Sequence, residues 1–585
     1  MHRIGIGLLG ASVAVGLIAA SVTASPALAG NARAGNAGVG ATQAGTPKRT
    51  GLVPRNGLGV THLAPLADSR PSTVPSKAKQ IRVLDAVLRR IAEHPALQGD
   101  DEGLGGSDVD DYNLGALWKR GVDGAGTTIA VIEGWNYPQI GQFMASFDKS
   151  YGLPNPVIKT IYPTGKLPKN CPPGMVNLGS YGSCQAWQGE LALDVASVHF
   201  AAPYAKIVIS ATPADTEITD DAASQVAPPE MMKAVEYIAR YHLANVISIS
   251  DGTGESSYSH GRPEILAQDP GELAAAAAGI PLLVATGDCG VVQNLPVANG
   301  QCEDVTHYRD SATWDDSPWV TAVGGTTPNL SGTGKRLGPD PLWNEEPFSS
   351  AAGFSKVFRR PAYQNGVAHI THSDWRSVPD LVMDARNGTS EASPLLAGVL
   401  GLATQLNHGN NIGPINPAVY SVLGPAGKRD GIVDVVKGND SSDLPNGKVV
   451  RGYSAKKGFD IASGWGTINA AAFVPSLVAA TRSMGEEGAA RLEALRELTA
   501  LEHQIRLSSQ QVSATGSIRM TAPGFLPEHP VRLYIDNKLV AKLTANGTGT
   551  VSFVIEPSSL SLAAGRHMIK LTSMLLTQQR GFTST

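Results

Sequence analysis

Gly388, Thr389 and Ser390 stand where a polar loop gives way to the apolar run SPLLAGVLG. Pro394 falls near the first turn of the helix this run predicts, where a missing N–H costs little. A serine there has its hydroxyl at the positive end of the helix dipole, which favours negative charge developing beside it. Serine is a poor nucleophile until a base takes its proton, and the usual base is histidine. The thirteen histidines do not offer an obvious one: His260-Gly261 and His408-Gly409 lie in polar, turn-rich surroundings, and His199 reads as a buried or helix-end structural residue. Glu190 and Asp194 are the alternative. They lie four apart, so one helical turn puts both carboxylates on one face, among Leu191, Leu193, Val195 and Val198. Carboxylates at that spacing ordinarily form a solvated face. On a helix with almost no other charge they are expected as a semi-buried pair.

The elements that must position these groups begin near residue 112. TTIAVIE (127–133), AKIVIS (205–210), ANVISIS (244–250), IPLLVAT (280–286) and WVTAVGG (319–325) are short continuous apolar runs, several of them separated by helical stretches. That alternation predicts an α/β fold with a mainly parallel sheet, helices on both faces, and functional groups at the carboxyl ends of the strands. After about residue 472 a charged helical stretch leads into segments of period-two alternation. Turns at Asp536-Asn537 and Asn546-Gly547 complete the pattern of a small antiparallel β-sandwich over 510–585, with 476–509 as a helical linker.

Upstream, residues 1–29 have one basic residue, an apolar run and the ending Ala27-Leu28-Ala29, the order of a secretory signal peptide. The chain is therefore expected to be secreted, extracellular and free of the membrane once that segment is cleaved. Residues 30 to about 75 read as a linker. Ile81, Leu84, Leu88 and Ile91 then form a helical stripe in a short propeptide-like segment ending near 110. A length of 585 residues predicts two to four domains, and a net charge of -4 gives no electrostatic case for nucleic acid or anionic membrane as a partner. Export makes two local disulfides, Cys171 with Cys184 and Cys289 with Cys302, the expected use of the four cysteines; free buried thiols are the other use.

The ordered motifs resemble the sedolisins, serine-carboxyl peptidases with a subtilisin-like fold. Gly-Glu-Leu-Ala-Leu-Asp (189–194) is similar to the family's Glu-x-x-x-Asp helix, and Thr286-Gly287-Asp288 to its Ser-Gly-Asp turn. Ser317-Pro318-Trp319-Val320 with Val323-Gly324-Gly325-Thr326 resembles the strand that follows. Gly353-Phe354-Ser355, Phe358, Pro361, Tyr363 and Gln364 then resemble a substrate-side loop, and Arg376-x-x-Pro379-Asp380 precedes Gly388-Thr389-Ser390. The likeness makes 111–475 a peptidase domain. It implies Ser390 as nucleophile, Glu190 as base, Asp194 as the hydrogen-bonding partner that orients Glu190, and a protonated Asp288 as oxyanion donor. Glu133 would extend the carboxyl chain through Asp194, and Ser250, Asp251 and Gly252 would line the substrate strand. One structural Ca2+ is implied at Asp434, Val435, Lys456, Gly458 and Asp460, with carboxylate and backbone carbonyl ligands.

Several features depart from the family. Asp380 and Ser390 are only ten positions apart, Glu391 follows the nucleophile, Asp251 stands where a bulky residue is usual, and 30–110 is short for the family's prodomain. The expectation is an acid-acting endopeptidase working on protein or peptide substrates through an acyl-enzyme. The alternative is a pseudo-peptidase that binds peptide or a cell-wall or surface ligand through the groove and the C-terminal sandwich.

Overall fold

The apolar runs form a seven-stranded sheet in a computed structural model that describes residues 75–94, 106–168, 170–171, 184–212, 227–295, 301–329, 331 and 337–585. The expected signal peptide and the linker after it lie outside these residues. The strands are β1 (Thr128–Glu133), β2 (Val157–Ile161), β3 (Lys206–Ala211), β4 (Val246–Ile249), β5 (Leu282–Ala285), β6 (Val320–Thr326) and β7 (Leu381–Asp384). They lie in the order β7-β6-β5-β4-β1-β3-β2, and every pairing is parallel. The chain leaves β1 toward β3 and β2 on one side and returns to β4 on the other. The carboxyl ends of β1 and β4 therefore flank a switch point, the place where open parallel sheets form a crevice.

Packed around the sheet are α1 (Lys77–Glu93), α2 (Ile140–Tyr151), α3 (Cys184–Ala201), α4 (Glu230–Arg240), α5 (Asp269–Ala277), α6 (Thr389–Leu406), α7 (Ala470–Met484) and α8 (Glu486–Glu502). Alternation along each strand divides the core in two. Ile129, Val131, Ile207 and Ile209 pack with Leu191, Val195, Leu395 and Val399 of α3 and α6, whereas Ala130, Ile132, Ile247 and Ile249 pack with Met231, Val235 and Ala275 of α4 and α5. α3 and α6 approach so closely that a Cβ on Gly398 would lie 2.4 Å from Ala201 Cβ. A glycine at that crossing lets the helix carrying Glu190 lie directly against the helix carrying Ser390.

Two segments differ from expectation. Leu84, Val87 and Ile91 of α1 are buried in the same core as β1, so this part of the propeptide-like stretch is packed into the fold, its apolar stripe covered by Leu114 and Trp118. The 476–509 stretch is docked as well. Ala494 of α8 is buried against Leu273 and Ala276, Arg491 Nε donates to Ala277 O at 3.2 Å, and Lys77–Thr585 form one compact unit.

The C-terminal residues form a three-stranded sheet containing Ile518–Ala522 and a five-stranded sheet containing Gly565–Thr572, with their own apolar core. Asp536 and Asn537 have φ of 49° and 64°, so the hairpin there turns through two left-handed residues. One edge pairing, Gln511–Val512 with Thr577–Ser584, is parallel where an antiparallel arrangement was expected. Leu526 and Leu575 leave this sandwich to join the α4–α5 side of the sheet core.

Candidate active site

Glu133 ends β1, Ser250 follows β4, Asp288 follows β5, and Ser390 is the second residue of α6 after β7. Ser390 is half-buried at a helix N-terminus whose preceding residue, Gly388, has φ 83°. A Cβ on Gly388 would also lie 2.6 Å from Asp288 Oδ2. Glycine is thus needed there twice, for the turn and for the carboxyl beside it.

Glu190 projects from the second turn of α3 and interacts with the Ser390 side chain. Its Oε1 is buried without a hydrogen-bond partner. Asp194, one turn on and fully buried, was expected to hold Glu190 by a hydrogen bond. Instead Ser250 Oγ lies 3.0 Å from both Asp194 oxygens, and Glu133 interacts with the same carboxyl. Ser250 Oγ also lies 3.3 Å from Ser390 O, so this residue ties the Asp194 end of α3 to the nucleophile's backbone. Expected on the substrate strand, Ser250 turns its hydroxyl inward.

Burial is the first cause of every shift in this group. It pushes Glu190 well above the usual carboxylate range, repulsion from Asp194, Asp288 and Asp251 adds to it, and the Ser390 hydrogen bond opposes it. Asp194 is pushed up to about 7, moderated by Glu133 and Ser250. Glu133 is raised by burial and then by Asp194 and Glu190. Asp194 therefore raises its neighbour rather than holding it ionised, because two carboxylates out of water disfavour each other's charge. Burial and mutual repulsion disfavour full ionisation of these three carboxyls.

Asp288 is held by α6 itself. Thr389 N and Thr389 Oγ1 both donate to its Oδ1 at 2.8 Å, while Gln301 Nε2 donates to Oδ2. Burial raises it and these three donors lower it, with a net rise. Thr389 stood out in the sequence only as part of Gly388-Thr389-Ser390, and Gln301 not at all.

Asp251 is raised well above its ordinary value by burial, and its Oδ1 accepts the Gly252 N–H at 2.8 Å. Its Oδ2 is buried without a hydrogen-bond partner. His199 lies nine residues from Glu190, about 13 Å along the helix axis. It pairs with Asp148 of α2 at 3.1 Å, both buried, which leaves it no part in a serine–histidine pair. Glu391 is buried with Asp108 and Asp384 in a group of carboxylates. Arg386 contacts Asp384 and Asp108, so the positive charge such a cluster requires is already supplied by the chain.

Both expected disulfides are present, with S–S distances of 1.97 Å for Cys171–Cys184 and 2.07 Å for Cys289–Cys302. Among the expected calcium ligands, Gly458 N donates to Asp434 Oδ2 at 2.9 Å, which brings the two turns together. Asp460 accepts from Lys456 N at 2.6 Å and from Ser463 N at 2.9 Å, and Val435 is buried beneath them.

Sedolisin of Pseudomonas sp. (strain 101) is 28% identical over 372 residues, 59% of this chain and 57% of that protein. Tripeptidyl-peptidase 1 of Homo sapiens is 29% identical over 269 residues, 40% of this chain and 44% of that one. The chain is similar to the sedolisins. It spans about half the length of these curated relatives. The solved structure of Pseudomonas sedolisin, a serine-carboxyl proteinase complexed with two molecules of pseudo-iodotyrostatin, covers 62% of this chain and 94% of its own at 25% identity and a TM-score of 0.49. No family model matches the chain. The subtilisin-like α/β architecture expected of a sedolisin is the one the parallel sheet adopts. No described helix is long and apolar enough to cross a membrane.

Proposed function

We propose that the protein is a secreted serine-carboxyl endopeptidase acting on protein or peptide substrates at acidic pH. The observation that carries this reading is the meeting of Glu190 with the Ser390 side chain, with Asp288 seated against the same helix N-terminus. Glu190 in its ionised form takes the Ser390 proton as the hydroxyl oxygen attacks the scissile carbonyl carbon. The carbonyl electron pair moves onto oxygen, and a protonated Asp288 donates to that oxyanion; ionised, it would repel it. Glu190 then gives its proton to the leaving amine, and water repeats the sequence on the acyl-enzyme. Asp194 and Glu133 act on Glu190 by repulsion, and Ser250 keeps Asp194 in register with Ser390.

Supporting a bound calcium is the pair Asp434 and Asp460 on turns joined by the Gly458 N–H; with carbonyls from Val435, Lys456 and Gly458 they would make an oxygen donor set that suits a hard cation. When bound, the ion would cross-link the turns. Asp434 and Asp460 would hold it. A surface ligand for the C-terminal sandwich belongs to the alternative reading, in which the groove binds peptide without cleaving it.

The test is cleavage of denatured casein and a peptide library from pH 3 to 7 by wild type, Ser390→Ala, Glu190→Ala and the double variant. Each single change should abolish turnover, and the double should lose little more, because members of one catalytic unit are not additive. Wild-type binding without cleavage would favour the pseudo-peptidase. Activity that climbs steadily through pH 7 would remove the carboxyl base.

A further inference from the structure

Asp288 is followed by Cys289, and Gln301 is followed by Cys302. The Cys289–Cys302 bridge joins the neighbours of these two residues, with Cα atoms 5.4 Å apart, and Gln301 Nε2 meets Asp288 Oδ2 beside it. Cys302 N is anchored on Asn294 Oδ1 at 2.7 Å, and Ser349 N fixes Asp288 O at 2.7 Å. Oδ1 is already filled by two donors from Thr389, so a proton on Asp288 belongs on Oδ2, the oxygen that faces Gly388. An amide N–H on one lone pair of Oδ2 leaves the other for the proton and turns it away from Gln301. Flipped, the same amide would offer its carbonyl and hold the proton for itself.

We propose that Gln301 is a positioning residue for Asp288, delivered by the Cys289–Cys302 bridge, which aims the Asp288 proton past Gly388 toward the reacting carbonyl. This rests on the serine-carboxyl reading above. The titratable groups facing Asp288 are few: Glu190 couples to it across the cleft, and Asp440 backs the turn through its carbonyl to Val291 N. Thr389 and Gln301 are neutral, so Gln301 can be changed without altering charge.

The experiment compares pH profiles of kcat/KM for wild type, Gln301→Leu, Gln301→Glu and the double variant Cys289→Ser/Cys302→Ser. Losing a donor to the ionised form raises Asp288, so Gln301→Leu should move the alkaline limb to higher pH by roughly one unit. Its plateau kcat should fall several-fold with little change in KM, because the proton is no longer aimed. Gln301→Glu keeps the shape, guarding against a Leu variant that fails to fold. It should move the limb the same way by adding a neighbouring carboxyl, and lower kcat further by accepting the proton. The double serine variant should reproduce part of the limb shift. A limb fixed at the wild-type pH in both Gln301 variants overturns the role of Gln301. A limb unmoved only in the double serine variant overturns the tether. Ser390→Ala separates the two levels: if it keeps activity, the underlying reading fails and takes the proposal with it, whereas a dead control with unmoved limbs sinks Gln301 alone.

Discussion

Gly388 condenses the chemistry of the site into one residue. Its φ of 83° suits glycine, and the Asp288 carboxyl occupies the space a side chain would need. Gly388→Ala must therefore strain the backbone and displace Asp288 together. It should cost on the order of 1–3 kcal/mol of stability and, on the proposed mechanism, remove most of kcat, since Asp288 and Ser390 move apart. Thermal melts with kcat/KM measured on the same preparation check this; a variant that retains both would show that the turn has slack. Ser390, Glu190 and Asp194 were legible as candidates from their types and spacing, and Asp288 only through the resemblance to the sedolisins. Ser250's inward hydroxyl and the grip of Thr389 and Gln301 on Asp288 were not, because each joins residues more than ten positions apart in the chain.

At the scale of elements, α1 is packed into the core. Leu84 is fully buried with Leu114 and Trp118, so Leu84→Ala should cost about 2–5 kcal/mol by leaving a cavity. A discardable propeptide helix would show no such loss, and denaturant unfolding decides between them. The sandwich makes a related case. Every proposed catalytic residue precedes it, yet Leu526 and Leu575 complete the core on the α4–α5 side of the sheet. Removing residues 505–585 should therefore leave peptide hydrolysis detectable at low temperature while lowering Tm. An unchanged Tm would mean that the contact contributes nothing to stability.

Across the whole molecule, buried carboxyls set the direction of the pH response. Burial raises Asp194 to about 7 and Glu272, Glu391 and Asp440 to about 8, and pushes Glu133, Glu190, Asp251, Asp315 and Asp316 upward too. Their unfolded values lie near 4. Between those limits the folded chain binds more protons than the unfolded one, so stability is full below about pH 4 and falls as pH rises toward 8. Tm should decline through that window, and a Tm that rises from pH 4 to 7 would contradict it. Activity should trace a narrow bell within the acidic part: Glu190 must ionise while Asp288 stays protonated, and burial raises both. A bound calcium ion would act on the same balance. If Asp434 and Asp460 hold an ion in the folded chain alone, EDTA should lower Tm, and Asp460→Ala should make the protein indifferent to EDTA.

The sequence by itself determined the local matters: the apolar runs that become parallel strands, the serine at a helix start, two carboxyls one turn apart, and two cysteine pairs each thirteen positions apart. These follow from periodicity, residue chemistry and short spacing, which act along the chain. Tertiary structure alone decided what α1 and α8 pack against, the first the core of β1 and the second Leu273 and Ala276. A stripe of leucines announces burial without saying against what. It also decided the charge state of the carboxyl network. Glu190, Asp194 and Glu133 look like ordinary acids in the sequence, and only their common removal from water makes them compete for a shared charge.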